Sequence, residues 1–356
     1  MRLGRRPEAS VIIGLGVLIP AILAGLRDVS IGTDTKYYVT DIFELTVSSH
    51  KDALGIYSAF DGTYDFGYVA LAQIGRIIPD IHAFLFATSA ATLGVAALAL
   101  ILFDSRHVAF PFLIFLLTYF NASLNTARQS IALSFALLAA AALVRRKPVF
   151  AILAIALAFV FHRTAAVVLI FLPLYWISES WKGSDDHRQP LPLQRVLLML
   201  VVLGSLVLLV SQFTELAGPA LDKLGLDQSY GAYLETYRNG VPLAVLLGQL
   251  SYLAFAFIWR RRYPGGRFMA LGLASGTILV FLTQISVYLY RVSDYFLVLV
   301  VLASGGISGL DEGGSKGRRL LQWGLLTVAA LLWFQRIIVW NNHETFPYTS
   351  LILGLR

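Results

Sequence analysis

The sequence predicts an all-α integral membrane protein that crosses the membrane several times. Its mean hydropathy is +0.72, 57% of its residues are hydrophobic and only 14% are charged. A soluble domain of 356 residues would carry more charge. Apolar runs recur along most of the chain without a long polar insert, so we expect a single membrane domain over residues 1–356.

The first predicted span lies close to the N-terminus. Arg2, Arg5 and Arg6 precede an apolar run from Ala9 to Leu26 that resembles a signal peptide. The run is long and has no convincing small-x-small cleavage site, so we interpret it as an uncleaved span that starts in the cytoplasm. Further apolar runs bring the predicted total to about eleven spans, within a range of about ten to twelve. They cover residues 83–103, 108–122, 126–144, 148–162, 164–178, 194–213, 241–259, 268–289, 292–310 and 319–340.

The distribution of charge predicts the orientation of these spans. With eleven spans, most lysine and arginine residues fall on the same side as the N-terminus, including the cluster at 145–147. The positive-inside rule therefore favours a cytoplasmic N-terminus and an external C-terminus. The polar segments 27–82 and 214–240 then form two outer loops. If residues 66–78 crossed the membrane, the 145–147 cluster would face outward, so we expect an interfacial helix there.

Two of the predicted spans, 148–162 and 164–178, are unusually short. Each has about 15 residues and would extend roughly 22 Å, against a hydrocarbon core of about 30 Å. Their shared turn at Phe161 to Thr164 should therefore lie in a polar recess that opens outward. A single helix through both segments is the alternative, but it would put the basic residues at 145–147 and 182–195 on opposite sides.

Composition also limits the chemistry that the chain can support. It contains no cysteine, which excludes disulfides, thiolate metal sites and a cysteine nucleophile. None of the aspartate spacings matches a calcium loop, so we expect no metal and no cofactor. The net charge of +7 is weak evidence for an anionic partner, because basic residues also set membrane topology.

Arginine residues interrupt or flank the apolar runs on the predicted outer side. A guanidinium group binds phosphate through two parallel hydrogen bonds and stays charged, so such a set suits a diphosphate at the membrane surface. For any one arginine the alternative is that its side chain reaches the interface from the end of a span. The candidate diphosphate ligands are Arg128, Arg291, Arg76 and Arg163.

His162 is the candidate general base, because an imidazole with a reference pKa of about 6.5 can accept a proton near neutrality. A histidine in an apolar setting can equally be a hydrogen-bonded structural residue. Asp65 and Asp34 are the candidate carboxylates, and either one could orient a sugar hydroxyl. For Asp34 the alternative is a helix cap.

Amide and aromatic side chains near these charges suit a carbohydrate. If the polar stretch before the fourth span is helical, Asn121, Asn125 and Arg128 share one face. A tight outer turn with local hydrogen bonds is the alternative. The tyrosines offer flat faces to sugars, although an interfacial aromatic belt would look similar. The candidate glycan-binding residues are Tyr38, Tyr64, Tyr68, Asn125 and Gln129.

Several short motifs occur in order between about residues 27 and 300. They are Gly32-Thr33-Asp34-Thr35 with Tyr38, Asp65-Phe66-Gly67-Tyr68, the 128–132 segment, Phe161-His162-Arg163-Thr164-Ala165, and Arg291 with Tyr295-Phe296. Taken together, these motifs resemble the EpsG-type branch of the Wzy-like exopolysaccharide and O-antigen polymerases. The position of Asp65 is usually Glu in that family, and the position of Arg163 is usually small or polar.

This resemblance implies a GT-C-like glycosyltransferase of the bacterial inner membrane with its active site facing outward. A growing glycan would leave its polyprenyl diphosphate and join the nonreducing end of an incoming lipid-linked repeat unit, with inversion and without a metal. His162 would act as the base, with Asp65 as the second choice, and Asp34 would position the acceptor. The implied partners are the lipid-linked oligosaccharides, membrane lipid, and proteins of export and chain-length control. No nucleic acid partner is implied.

Two other functions fit part of the same pattern. A flippase for lipid-linked glycans would also need a basic cavity, but transport should leave polar groups along the depth of several spans. A glycan ligase would use the same arginines and a different acceptor. A scaffold without catalysis would give no reason for cations within apolar runs.

Overall fold

The computed structural model describes residues 7–49, 51–59, 65–180, 243–284, 288–309 and 314–355. These residues are helical, apart from connecting turns and an isolated β-bridge between Ser350 and Leu355. The predicted all-α class is therefore confirmed. The predicted span 194–213 and the outer loop 214–240 lie outside the described residues.

Nearly every predicted span in the described part of the chain corresponds to an apolar helix. By length and composition, four of the described helices can cross a membrane: Ile81–Asp104, Ala127–Val144, Leu289–Ser308 and Gly317–Val339. Shorter apolar helices cover Val11–Leu26, Ala109–Asn125, Pro148–Phe161, Val245–Trp259 and Gly266–Phe281. The chain is an integral membrane protein, and the total of eleven spans stays a prediction.

The chain divides into two compact units. The first comprises Met1–Ala166 and Ser304–Arg356, and the second comprises Val167–Ala303. The single membrane domain stays a prediction.

Four helices form the apolar body of the first unit: α1 (Pro7–Leu26), α5 (Ile81–Asp104), α8 (Ala127–Val144) and α9 (Pro148–Phe161). Helix α5 packs against α1 and α8, and α8 packs against α9. Alanine and leucine dominate α8, which favours a helix and lets neighbouring helices approach closely. As a result, most α8 side chains are buried.

Helix α9 ends at Phe161 because His162 has an extended backbone, with φ −159° and ψ 121°. The chain then continues as a 3-10 helix over Arg163–Ile170 and as α10 over Phe171–Ser180. The single continuous helix is therefore excluded, and two separate spans stay a prediction.

Short helices connect α1 to α5. A π-helix at Thr35–Val39 leads into α2 (Thr40–Ser48), followed by α3 (Ala53–Ala59) and α4 (Phe66–Ala72). A 3-10 turn at Gln73–Arg76 follows α4. Together α4 and this turn extend roughly 19 Å, which is short of a hydrocarbon core of about 30 Å. This length favours the prediction that the segment does not span.

The helix before α8, Ala109–Asn125, consists of three consecutive helical segments. They are α6 (Ala109–Phe115), a π-helix (Leu116–Phe120) and α7 (Asn121–Asn125). Thr126, with φ −90° and ψ 58°, separates α7 from α8. Asn121 and Arg128 therefore do not share the face of one helix. The Asn121 amide instead donates to Thr345 Oγ1 at 3.0 Å and accepts from Trp333 Nε1 at 2.9 Å.

The segment 341–355 packs against the end of α1. Tyr348 donates its hydroxyl to the carbonyl of Leu23 at 2.7 Å, and the Asp28 amide donates to the carbonyl of Thr349 at 3.1 Å. The Gly32 amide donates to the carbonyl of Glu344 at 3.1 Å. These bonds connect the beginning and the end of the first unit.

The second unit contains α10, α11 (Leu243–Trp259), α12 (Gly266–Phe281) and α13 (Tyr288–Leu297). Helix α14 (Leu299–Ser308) continues from it into the first unit, which ends with α15 (Gly314–Trp333) and a π-helix at Phe334–Val339. Helix α12 contacts α10, α11 and α13. The ring of Phe171 meets those of Phe268 and Phe296 edge-on, at centroid distances of 5.5 and 5.7 Å.

Candidate functional site

Asp65 is the centre of the charged cluster in the first unit. Arg128 Nη1 lies 2.8 Å from Asp65 Oδ2, and His162 Nδ1 lies 3.2 Å from the same oxygen. Arg163 Nε lies 3.7 Å from Oδ1. The four residues come from three parts of the chain. Two guanidinium groups and one imidazole thus surround a single carboxylate.

The backbone of Asp65 explains why its carboxylate is available to these partners. Asp65 occupies the N-cap position of α4 in an extended conformation, and its carbonyl accepts the amides of Tyr68 and Val69. Its side chain makes no capping hydrogen bond to the helix. The carboxylate therefore points away from α4 toward Arg128 and His162.

Gly67 allows α4 to approach the end of α9. A Cβ atom at Gly67 would lie 3.0 Å from both Cγ1 and O of Val160, and 3.1 Å from the ring of Phe161. These distances are shorter than ordinary van der Waals contact, so a side chain would push the two helices apart. The close approach brings Asp65 to His162, which follows Phe161 directly.

Arg128 also contacts the first ring of an aromatic stack formed by Tyr38, Tyr68 and Phe84. The guanidinium carbon of Arg128 lies 3.5 Å from the centroid of the Tyr38 ring, a close cation–π contact. The Tyr38 ring in turn lies 6.1 Å from that of Tyr68, and Tyr68 lies 5.3 Å from Phe84. Phe84 and Tyr68 belong to the buried core, so the stack fixes the position of Arg128 relative to that core.

Charge and burial both shape the ionisation of the site. Burial alone would raise the pKa of Asp65, but the hydrogen bond from His162 and the positive charges of Arg128 and Arg163 outweigh it, so this pKa lies below its usual value. Asp65 is therefore ionised at neutral pH. Burial raises the pKa of Tyr38, so its phenol stays neutral.

Exposure increases outward from the carboxylate. The side chains of Asp65, His162, Arg128 and Arg163 are 5%, 13%, 20% and 50% exposed, respectively. Arg163 is also the most distant from Asp65 of the three partners. An incoming anion would therefore meet Arg163 first, then Arg128 and His162, and would reach Asp65 last.

The other predicted carboxylate, Asp34, lies near the start of the first π-helix. Its backbone amide donates to Asn125 Oδ1 at 2.8 Å, and its side chain makes no capping hydrogen bond. This hydrogen bond gives the side-chain oxygen of Asn125 a partner within the protein. The alternative role of Asp34, a side-chain cap of the helix, is not seen.

The predicted glycan-binding residues differ in their access to solvent. Asn125 and Gln129 are buried, and Tyr68 has no exposed surface, which gives Tyr68 a packing role behind Tyr38. Tyr38 is partly exposed. Tyr64 lies outside the described residues.

The other two predicted diphosphate ligands, Arg76 and Arg291, come from other parts of the chain. Arg76 is exposed and donates to the carbonyl of Ser49 at 2.8 Å. Arg291 lies on α13, in the second unit. The structure thus brings together Asp65, Arg128, His162 and Arg163, and Arg76 and Arg291 stay predictions. In the described part of the chain, no group of three histidine or acidic side chains could hold a metal ion.

Arg27 is a buried cation that was not among the predicted site residues. Its guanidinium donates to the carbonyls of Ala24 and Leu124 and to Thr35 Oγ1. Thr35 also donates to Leu124 O at 2.9 Å. Arg27 therefore connects the end of α1 to the first π-helix and to α7. The sequence signal was an arginine directly after a span with polar residues following, which an interfacial arginine would share.

Comparison with models of known protein families matches residues 11–350 to the family described as the EpsG family. The match covers nearly the whole chain and includes every residue of the candidate site. No curated protein and no solved structure matches the chain.

Proposed function

This chain belongs to the EpsG family, and on that premise we propose that it is a glycosyltransferase that polymerises a lipid-linked oligosaccharide at the outer face of the membrane. Family membership by itself indicates an exopolysaccharide polymerase type of function. The observation that supports the specific reaction is the grouping of Asp65, His162 and two arginines.

The contact between His162 and Asp65 suits a general base. When Nδ1–H donates to the carboxylate, the neutral ring carries its lone pair on Nε2. Asp65 then orients the ring and stabilises the imidazolium that forms on proton transfer, as a carboxylate does behind a catalytic histidine. Asp65 itself is a weaker base, because its cationic partners hold its pKa low. We therefore assign His162 as the base and Asp65 as a positioning residue.

The two arginines suit the leaving group. In the proposed step, the acceptor hydroxyl oxygen attacks the anomeric carbon of the donor glycan while His162 Nε2 takes the hydroxyl proton. The bond from that carbon to the diphosphate oxygen breaks, and polyprenyl diphosphate leaves with the electron pair. Arg128, held by Tyr38 and Asp65, and the more exposed Arg163 stabilise the developing charge. One direct displacement inverts the anomeric carbon and assigns no role to a metal.

The remaining predicted residues take supporting roles in this proposal. Asp34, Tyr38 and Tyr64 position the acceptor glycan, with Tyr68, Asn125 and Gln129 holding the surrounding structure. Arg291 and Arg76 are further diphosphate ligands. The proposal includes a GT-C-like arrangement of about eleven spans in the bacterial inner membrane, a cytoplasmic N-terminus and a site that faces outward.

Purified protein in lipid nanodiscs, given a defined polyprenyl-diphosphate oligosaccharide, tests the reaction directly. We expect a ladder of products that differ by one repeat unit. A single transfer product would indicate a ligase, and movement of the lipid-linked glycan without a new bond would indicate a flippase. Activity should persist in the presence of a metal chelator.

The residue assignment is tested by His162→Gln, which should lower the rate by about 10²- to 10⁴-fold, as expected on loss of a general base. His107→Gln is a matched control, because His107 Nδ1 also contacts a carboxylate, Asp104 Oδ2, at 2.9 Å outside the candidate site. Wild-type polymerisation by correctly inserted His162→Gln protein would refute His162 as the base.

A further inference from the structure

A second basic site lies in the second unit, outside the candidate catalytic cluster. A pocket of about 130 Å³ lies between the end of α10 and the turn that joins α11 to α12. Arg260, Arg261 and Arg267 line it, together with Glu179 as the acidic lining residue. Three arginines and one glutamate give these lining residues a net charge of +2.

The arginines of this pocket repel each other. Burial and the positive charges of Arg261 and Arg267 lower the pKa of Arg260. Arg260 is held in place because its guanidinium lies 3.7 Å from the centroid of the Phe257 ring and donates to the Phe257 carbonyl. The repulsion between fixed cations is relieved when an anion binds among them.

Two buried donors on residues that line this pocket have no acceptor in the described part of the chain. Tyr263 is only 7% exposed, and within the described residues its hydroxyl has no hydrogen-bond partner. Arg260 Nε is also buried, and it has no hydrogen-bond partner among the described residues. Buried donors are nearly always paired because leaving one unpaired destabilises the protein, so a buried donor without an acceptor points to a ligand that supplies one.

The start of α12 adds backbone donors to the same place. Gly265 stands before the helix with φ +71° and has no side chain that could cap the first turn. A Cβ atom at Gly266 would lie 2.5 Å from the carbonyl oxygen of Arg260, so the turn closes this tightly only with glycine there. The turn therefore brings Arg260 to the positive end of the helix dipole, where anions are stabilised.

We propose that this pocket binds a phosphate group through Arg260, Arg261, Arg267, the Tyr263 hydroxyl and the first amides of α12. The net charge of +2 attracts an anion, and arginine forks and amides fit tetrahedral phosphate. The volume of about 130 Å³ accommodates a phosphate group. The phosphate belongs either to an anionic phospholipid headgroup or to a soluble phosphate compound. The site operates independently of the proposed glycan transfer.

The full-length protein in detergent should bind inorganic phosphate, measured as a rise in thermal midpoint at constant ionic strength against chloride. In parallel, phosphatidylcholine nanodiscs with and without phosphatidylglycerol report on the lipid source, with the retained lipid identified by native mass spectrometry. Stabilisation by inorganic phosphate identifies a soluble ligand, and stabilisation by phosphatidylglycerol alone identifies a headgroup.

Neighbouring arginines provide a matched pair of variants. Arg261 lines the pocket, whereas Arg262 is exposed, lies 5.1 Å from the Trp259 ring and does not line it. Arg261→Gln should raise the Kd of the phosphate probe about tenfold, as loss of a charge-assisted contact does. Tyr263→Phe should raise it about threefold, and Arg262→Gln should leave it unchanged. The proposal is overturned if neither probe binds, or if Arg262→Gln weakens binding as much as Arg261→Gln.

Discussion

The contact between Asp65 and Arg128 gives the most quantitative prediction. Asp65→Asn keeps the size of the side chain and removes its charge, so Arg128 loses its carboxylate at 2.8 Å while its side chain is only 20% exposed. At an effective dielectric constant of about 20, a charge pair at this distance interacts by about 6 kcal/mol, which is a ceiling. Removal of one partner of a buried pair usually costs about 3–5 kcal/mol. We expect Asp65→Asn to lower the free energy of unfolding by about 3 kcal/mol.

A double-mutant cycle isolates this interaction from the other effects of each substitution. Asp65→Asn, Arg128→Met and the double variant are compared by thermal and denaturant unfolding in one detergent. The double variant leaves neither charge of the pair without its partner. Its loss of unfolding free energy should therefore be smaller than the sum of the two single losses by at least about 1.5 kcal/mol. Asp41→Asn, an exposed carboxylate on α2, is the control and should change stability by less than about 0.5 kcal/mol. Additivity of the two single losses within about 0.5 kcal/mol would refute a buried charge pair at this site.

Four further predictions concern the surroundings of this pair. Gly67→Val should separate α4 from α9 and lower polymerisation by at least about tenfold, measured on inserted protein. Tyr38→Leu should cost about 0.5–2 kcal/mol of stability through loss of the cation–π contact, and Tyr38→Phe, which keeps the ring, should cost much less. Arg27→Met should lower the thermal midpoint, because Leu124 O loses a charged donor. An unchanged midpoint would contradict the inference that Arg27 connects α1 to the segment at Leu124. The folded pKa of Asp65 lies below the unfolded value of about 3.9, so its stabilisation is complete above that pH and is lost as the pH falls through the folded value. An acid titration of unfolding should therefore show an additional loss below about pH 4 in wild type that Asp65→Asn lacks.

The sequence predicted helices well because long apolar runs have few other structures available in a membrane. It also predicted the break at His162, because two spans of about 15 residues cannot form one helix without reversing the orientation of the neighbouring basic loops. Local patterns of hydropathy and charge carry this information. The order of the helices along the chain follows from them directly.

The composition of the charged cluster was less accessible from sequence. Asp65 lies 97 residues from His162, and their contact depends on the close approach of α4 to α9 at Gly67. Hydropathy gives no signal for that approach. The amides of Asn121 and Asn125 were expected to bind a ligand, but they form hydrogen bonds to Thr345 and to the Asp34 backbone, which depend on distant parts of the chain.

The packing of segment 341–355 against α1 bears on how the protein is made. Tyr348 and Leu23 are separated by 325 residues, so their hydrogen bond forms only when nearly all of the chain has been synthesised and inserted. Until then the carbonyls of Leu23 and Leu26, which accept the hydroxyls of Tyr348 and Ser350, lack these donors. Helix α1 can insert early during translation, but its C-terminal end reaches its final structure last. Ribosome-bound chains arrested before residue 345 should therefore be cleaved by protease near the end of α1, and the released full-length protein should be protected there.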